Sequence, residues 1–461
     1  MAEDGLAARI REAVGARPGE GAVLLWSSAY YFMVLCAYYV IRPIRDDMGT
    51  AGGVENLAWL FTGTLVGMLL VHPLYTSLVS TMPRRKFIAL AYRFFILNLI
   101  AFFLILRVVD DSQAIWVGRV FFIWTSIFNL FVVSVFWSMV TDVFRPGQGK
   151  RLFGVVAVGG TIGAIFGSSI TAALVDRLGT INLLLVSAAI LELAVQASRV
   201  LDRQEEVMHV AEAHDATDAV VKNAQGSKAD EVIGGGVFEG IRHILASPYL
   251  LGIGLLVLFY TITSTFLYFQ QVEIVQQVFG EDREARTRVF GQMDLAVNVA
   301  TLVCQLFLTG RLMRWFGVGF GLAFLPVVTL IGFAVLGVAP GIATLIGFLI
   351  VRRAGNFAIQ RPAREALFTV MSRTDKYKAK NFSDTFIYRF GDQTGAWANQ
   401  FMIWLGLGAA AVAFSMVPVS AAWLVLTLWL GRKYKSLERD RVLKENPLAH
   451  PTAAPPHSTR H

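Results

Sequence analysis

AVLLWSSAYYFMVLCAYYVI, residues 22–41, runs twenty residues without a charge, and YLLGIGLLVLFYTITSTFLYFQQV, residues 249–272, does the same 227 residues later. A helix crossing a hydrocarbon core of about 30 Å needs about 20 mostly apolar residues, because each backbone polar group must be satisfied inside the segment. The first stretch opens a series of six such windows, at 22–41, 56–82, 87–106, 113–140, 152–175 and 180–198. The second opens another six, at 249–272, 289–309, 318–338, 341–359, 383–411 and 415–430. Matched windows start 227 to 235 residues apart, a near-constant offset that points to a duplicated unit. The expected fold is all-α and integral to the membrane, with twelve transmembrane helices in two parallel six-helix bundles. The expected division is an N-terminal segment 1–21, a first bundle 22–198, a linker 199–248, a second bundle 249–431 and a tail 432–461, the tail being disordered.

Composition agrees. Of 461 residues 55% are hydrophobic and 16% charged, against about 25% charged in a soluble domain. The windows are long, uninterrupted and rich in Leu, Phe, Ala and Gly, which disfavours strands alternating at period two. With both termini on one side, 29 of the 41 Lys and Arg fall on that side and 7 on the other, so the termini are expected in the cytoplasm. The net charge of +8 then reads as a basic cytoplasmic face and not as a nucleic-acid surface. Cys36 and Cys304 lie in separate apolar helices and read as packing residues, and no metal or cofactor motif is expected.

Ionisable residues inside the windows carry the functional information, since each costs about 2.5–3.5 kcal/mol at the helix centre and needs a partner or a role. The first window runs into Arg42-Pro43-Ile44-Arg45-Asp46-Asp47, where Pro43 is expected to end or kink the helix. Arg42 and Arg45 form either an anion-binding corner or a solvated helix end with local ion pairs. Further candidates are Arg119 in the fourth window, Asp294 in the eighth, Arg352 and Asn356 in the tenth, and Arg389, Asp392 and Gln393 in the eleventh. Any one Arg could reach the interface or pair with an acid. Together they favour an anionic substrate, because a guanidinium matches phosphate or carboxylate oxygens as a planar fork.

Gly159, Gly163 and Gly167 recur every four residues in the fifth window, clearing one face for close approach by another helix. We expect this helix to be the sliding contact between the halves, for which close packing of small residues is useful. A phosphate-cradling loop is excluded by the lack of a Gly-Lys-Ser/Thr ending. Arg84-Arg85-Lys86 and Arg311 with Arg314 occupy equivalent places in the two halves, either as topogenic charge or as a latch between helices.

Two parallel sixfold halves with a long linker resemble the major facilitator superfamily, in which halves rock about a central site. Within it, three stretches resemble the ATP:ADP antiporter family: YYVIRPIRDDMG at 38–49, FWS at 136–138 followed by KRLFG at 150–154, and RPAREALFTVMSRTDKYKAKNFSDTFIYRFGDQTGAWANQ at 361–400. The resemblance implies nucleotide exchange, with Arg45 at a position where the family usually has Lys and Glu273 matching an acid at the end of the seventh helix. Asp392 stands where the family has a Lys, and an expected acid in the fourth helix is replaced near Thr125, which weakens the case for ATP in particular.

The leading expectation is a secondary transporter, an antiporter of nucleotides or a related phosphorylated anion, possessing no enzymatic activity. It is a monomer in a bacterial inner membrane that takes a small anionic substrate and binds no nucleic acid. Two alternatives stand beside it: a proton-coupled exporter using Asp294 or Glu192, and a membrane receptor without transport. The ends of the first and seventh helices differ, Arg42 and Arg45 against Gln270, Gln271 and Glu273, and the substrate is expected to be read there.

Overall fold

The computed structural model describes Arg17 and residues 20–144, 146–217, 247–371 and 383–445. Most of residues 1–21, most of the linker and the end of the tail lie outside them, as does 372–382 of the third motif. Among the described residues the chain is helical throughout. The N-terminal half comprises α1 (Gly21–Ala51), α2 (Leu57–Thr81), α3 (Arg84–Leu106), α4 (Asp111–Val143), α5 (Pro146–Leu178) and α6 (Leu183–Thr217). The C-terminal half comprises α7 (Pro248–Phe279), α8 (Arg283–Cys304), α9 (Gly310–Val338), α10 (Ile342–Gly355), α11 (Tyr388–Trp404) and α12 (Ala409–Glu445).

Ten stretches among the described residues are long and apolar enough to cross a membrane. One of them, Arg283–Val338, holds both α8 and α9, joined by a π turn and broken at Gly317, where φ is +75°. The 17-residue α11 is too short to count by itself and is preceded by a further π turn, Ser383–Ile387. α6 extends past residue 198 to Thr217, and α12 past 431 to Glu445.

The duplication is visible in the packing. In the first half α1 packs on α4, α5 and α6, α3 on α6, and α2 on α4; in the second α7 packs on α10, α11 and α12, α9 on α12, and α8 on α10. Across the halves α5 meets α8 and α2 meets α11, which is again the same pair twice. Glycines repeat too. A Cβ on Gly163 would collide with the backbone of Phe32 in α1, and one on Gly395 would come within 3.0–3.2 Å of Thr265 and Ile262 in α7.

The fifth helix does meet the other half, through α8, but its glycines are not what it uses there. Gly159, Gly163 and Gly167 face Ser28, Phe32 and Cys36 of α1, within their own half, so they fasten α5 to α1 and are not the contact between halves. The contact between halves uses another face of α5, where Ser168 accepts from Asn298 at 3.4 Å and Asp176 pairs with Arg288 at 2.6 Å.

Each half has its own core. The N-terminal one is continuous and includes Tyr30, whose hydroxyl donates to Tyr92 at 2.7 Å while Tyr92 donates to the Val132 carbonyl at 3.0 Å. The C-terminal one is split along α7, α9 and α10 by a polar belt. Leu250, Leu322 and Ala363 lie on one side of it and Phe266, Phe333 and Leu349 on the other. In the belt Arg352, 2% exposed, donates to Thr329 at 3.1 Å, Ser264 at 3.0 Å and Thr263 at 2.8 Å. Exposed Leu and Phe cover the outside, and exposed Trp59, Trp116 and Trp404 mark the helix ends on one face, with Trp315 towards the other, as interfacial tryptophans do.

Local sequence sets the helix starts. Asp110 caps α4, accepting from the Gln113 N–H at 2.8 Å and the Ser112 hydroxyl at 2.7 Å, and these donors hold its carboxyl below the usual carboxylate range. Asp282 caps α8 in the same way, at 2.9 Å from the Ala285 N–H.

Candidate functional site

We call the face where α6 ends and α7 begins the linker face, and the opposite one the loop face. α1 does not stop at Pro43; it continues through it to Ala51, ending before Gly52 and Gly53. This places Arg42, Arg45, Asp46 and Asp47 on one continuous helix, turned towards different partners.

The hydrogen bonds and ion pairs described between the halves gather towards the loop face. Asp47, whose side chain is 1% exposed, accepts from Arg286 Nε at 2.7 Å and Arg283 Nε at 3.1 Å. Arg42 Nη1 donates to Asp294 Oδ1 at 2.7 Å, and Arg353 Nη1 donates to the same oxygen at 2.9 Å. Tyr268 donates to Asp46 at 3.1 Å, Thr62 to Gln393 at 3.0 Å, and Trp397 to Thr62 at 3.2 Å. Thr180 and Thr287 meet at 3.4 Å. A buried pair that loses one partner is penalised strongly, so these contacts hold the halves together at this face.

Below the closure lies a cavity of about 260 Å³ between the halves, lined by α1, α2, α4, α7 and α11. Arg45 enters from α1. Its Nε and Nη2 donate to Asp46 Oδ1 at 3.0 and 2.5 Å, and its guanidinium lies 4.8 Å from the Phe122 ring centre and 6.0 Å from that of Tyr268. Arg389 enters from α11, 3.5 Å from Asp392 and 6.0 Å from the Tyr388 ring centre. Gln393 also lines the cavity. A guanidinium has five N–H donors, and Arg45 keeps its Nη1 pair free of Asp46. Two charged forks among aromatic rings thus face one space.

The remaining candidates lie elsewhere. Arg42 and Asp294 form the closure, and Arg352 belongs to the polar belt. Asn356 donates to the Tyr260 hydroxyl at 3.0 Å, inside the C-terminal half. Arg119 stacks on exposed Trp116 at 4.3 Å, and Glu273 lines a separate cavity on the loop face. Glu192 pairs with Arg93 at 2.9 Å on the outer surface of α3 and α6. Near the linker face Arg84 pairs with Asp202 at 2.9 Å and with Glu205, which joins α3 to α6 as a latch inside the N-terminal half. Arg314 donates within its own helix, to Gly310 at 3.2 Å. The candidate list omitted Tyr268, Tyr388, Phe122, Ser126 and Asn129; the last three share the cavity-facing side of α4 at helical spacing, a pattern that uncharged residues in an apolar window do not announce.

Two helical halves repeated in the same order, closed at one face over a central cavity, define a membrane transporter of the alternating-access kind. The sequence profile described as the Major Facilitator Superfamily matches residues 23–372, and the chain belongs to that superfamily. Among curated proteins it is similar to ADP,ATP carrier protein 1 of Chlamydia muridarum, 20% identical over 92% of this chain and 90% of the relative. It is also similar to ADP,ATP carrier protein 2 of Chlamydia pneumoniae, 23% identical over 43% of this chain and 42% of the relative. Among solved structures it shares its fold with a bacterial homolog of the human lysosomal transporter Spinster, inward-facing and unoccupied, at a TM-score of 0.55 and 14% identity, covering 92% of this chain and 98% of that one. The nucleoside transporter NupG has a TM-score of 0.54 and 11% identity, covering 90% and 99%.

Proposed function

We propose that this transporter exchanges a phosphorylated organic anion, a nucleotide being its most specific form, with Arg45 and Arg389 receiving the phosphates. The observation that carries this reading is the placing of those two guanidiniums in one cavity with Phe122, Tyr268 and Tyr388 around them. Phosphate oxygens suit the forks, and a base suits the rings. The ADP,ATP carrier likeness over nearly the whole chain supports it. Asp392 beside Arg389 shares that cation with an incoming phosphate, so the site favours fewer phosphate charges over more. The basic-residue asymmetry supports termini on the cytoplasmic side, in keeping with the expected bacterial inner membrane, and in that orientation the closed face is the outer one.

ATP exchanged for ADP moves about one net charge, worth about 2.3 kcal/mol per 100 mV, so the membrane potential biases the direction unless phosphate moves as well. The test is uptake of labelled ATP, ADP and phosphate into liposomes carrying the purified chain, with and without internal ADP. Internal nucleotide should accelerate entry, and Arg45→Gln and Arg389→Gln should each weaken apparent affinity by about tenfold, the loss of one charged hydrogen bond. Entry indifferent to internal nucleotide, or unchanged in both variants, rejects the reading.

A further inference from the structure

Between the link from α1 to α2 and the loop-face ends of α7 and α11 lies a second cavity, of about 300 Å³. Its polar wall consists of two carboxylates and three amides, Glu55 from the link, Gln270, Glu273 and Gln276 from α7, and Asn399 from α11, with no basic residue lining it. Glu273 accepts one hydrogen bond, from Gln277 at 3.3 Å, and forms no ion pair among the described residues. Among the arginines near this face, Arg42 pairs with Asp294, Arg45 with Asp46, Arg283 and Arg286 with Asp47, and Arg288 with Asp176, while Arg119, close to Gly52 of the link, lies over the Trp116 ring and does not line the cavity.

Two amides point the same way. Gln270 is 1% and Asn399 2% exposed, and Gln270 Oε1 and Asn399 Oδ1 are buried without a donor. For Gln270 the amide's orientation is set by its own bonding, since Nε2 donates to the Ala409 carbonyl at 3.1 Å and leaves Oε1 as the free end. A buried acceptor without a donor is costly, and a carboxylate beside two of them adds negative charge where no side chain offsets it.

We propose that this pocket binds a hard metal cation of the alkali or alkaline-earth kind. Glu273, Gln270 Oε1 and Asn399 Oδ1 supply oxygens from the C-terminal half, and Glu55 supplies its carboxylate from the N-terminal half. Carboxylate and amide oxygens are the ligands such ions take, and a cavity far larger than a bare ion leaves room for water to complete the shell. No Cys or His lines the cavity, so a soft metal has no ligand there. Because the donors come from both halves, the ion adds to the closure already made by Asp47. The site is separate from the Arg45 cavity and stands whether or not the substrate is a nucleotide.

The experiment uses the full purified chain in detergent. Binding of ²²Na⁺ and ⁴⁵Ca²⁺ is measured by scintillation proximity, and unfolding midpoints are compared in sodium, calcium and choline chlorides at equal ionic strength. Saturable binding of one of the two ions is expected, together with a higher midpoint in that salt than in choline. Glu273→Gln should weaken binding by at least about tenfold, and Glu55→Gln, on the exposed link and safe for folding, by about threefold, as affinity follows ligand charge. The proposal is overturned if neither ion binds saturably, if choline stabilises equally, or if both variants bind as the parent does.

Discussion

Substituting Asp47→Asn tests the loop-face closure directly. Asp47 joins α1 to the start of α8, and its two arginines are unequal: Arg286 is 4% exposed, whereas Arg283 is 27% exposed and partly screened by solvent. The loss therefore falls mainly on Arg286, left with the Gly280 carbonyl as its other described acceptor. Breaking a buried pair costs about 3–5 kcal/mol, and the lower end applies because Asn still accepts a hydrogen bond. About 3 kcal/mol is a change of about 100-fold in the closed-to-open ratio. The reporter is Thr180→Cys, 1% exposed within the closure where it meets Thr287, in a chain lacking Cys36 and Cys304. Its labelling by a water-soluble maleimide should quicken by at least about tenfold, full opening being the ceiling. Adding Arg286→Gln should recover at least about 1.4 kcal/mol, since the orphaned charge is then gone. Unchanged labelling in a cooperatively unfolding Asp47→Asn chain, or strict additivity in the double variant, refutes the argument.

Other outcomes follow from the packing. Gly163→Ala sets a methyl against the Phe32 carbonyl and should lower stability by about 1–3 kcal/mol, measured as a fall in the unfolding midpoint, whereas Gly154→Ala, with open space around it, should not. Arg352→Met should cost less than about 2 kcal/mol by the same measure, because Thr263 and Thr329 already donate to helix carbonyls at 2.8 and 2.7 Å and are not orphaned; a larger loss would mean that the belt needs its cation. The folded Asp110 carboxyl titrates below its unfolded value of about 3.9, so its stabilisation is full above that pH and disappears as pH falls through the folded value. Asp110→Ala should lower the midpoint at pH 7 and flatten the loss of stability below about pH 4; an identical acid limb would rule this out.

The helices were legible because hydropathy and length are properties of a segment by itself. Elsewhere local rules left choices open. Pro43 reads as an end or a kink of the helix, and of the two the end is ruled out: α1 passes through it, with Arg42, Asp46 and Asp47 just around it all tied to groups of the other half. The glycine stripe of α5 was readable as a close contact, but its partner was not: only the direction in which the stripe faces shows that it meets α1. The cavity was half legible. Arg45, Arg389, Asp392 and Gln393 stand out as charges or amides in apolar windows, while Phe122, Tyr268 and Tyr388 are ordinary membrane residues until two halves enclose them.

Taken alone, the chain's order of apolar windows and their offset determined a duplicated all-α membrane protein, and the placing of Lys and Arg set the expectation for its orientation. Tertiary structure alone decided which charges cancel. Arg42 and Arg45 sit three residues apart, yet one reaches Asp294, 252 residues away, and the other turns to neighbouring Asp46 and the cavity. The physical reason is that spanning a bilayer depends on each segment's own free energy of transfer, whereas an ion pair depends on the distance and facing of two segments, which the assembled halves alone specify.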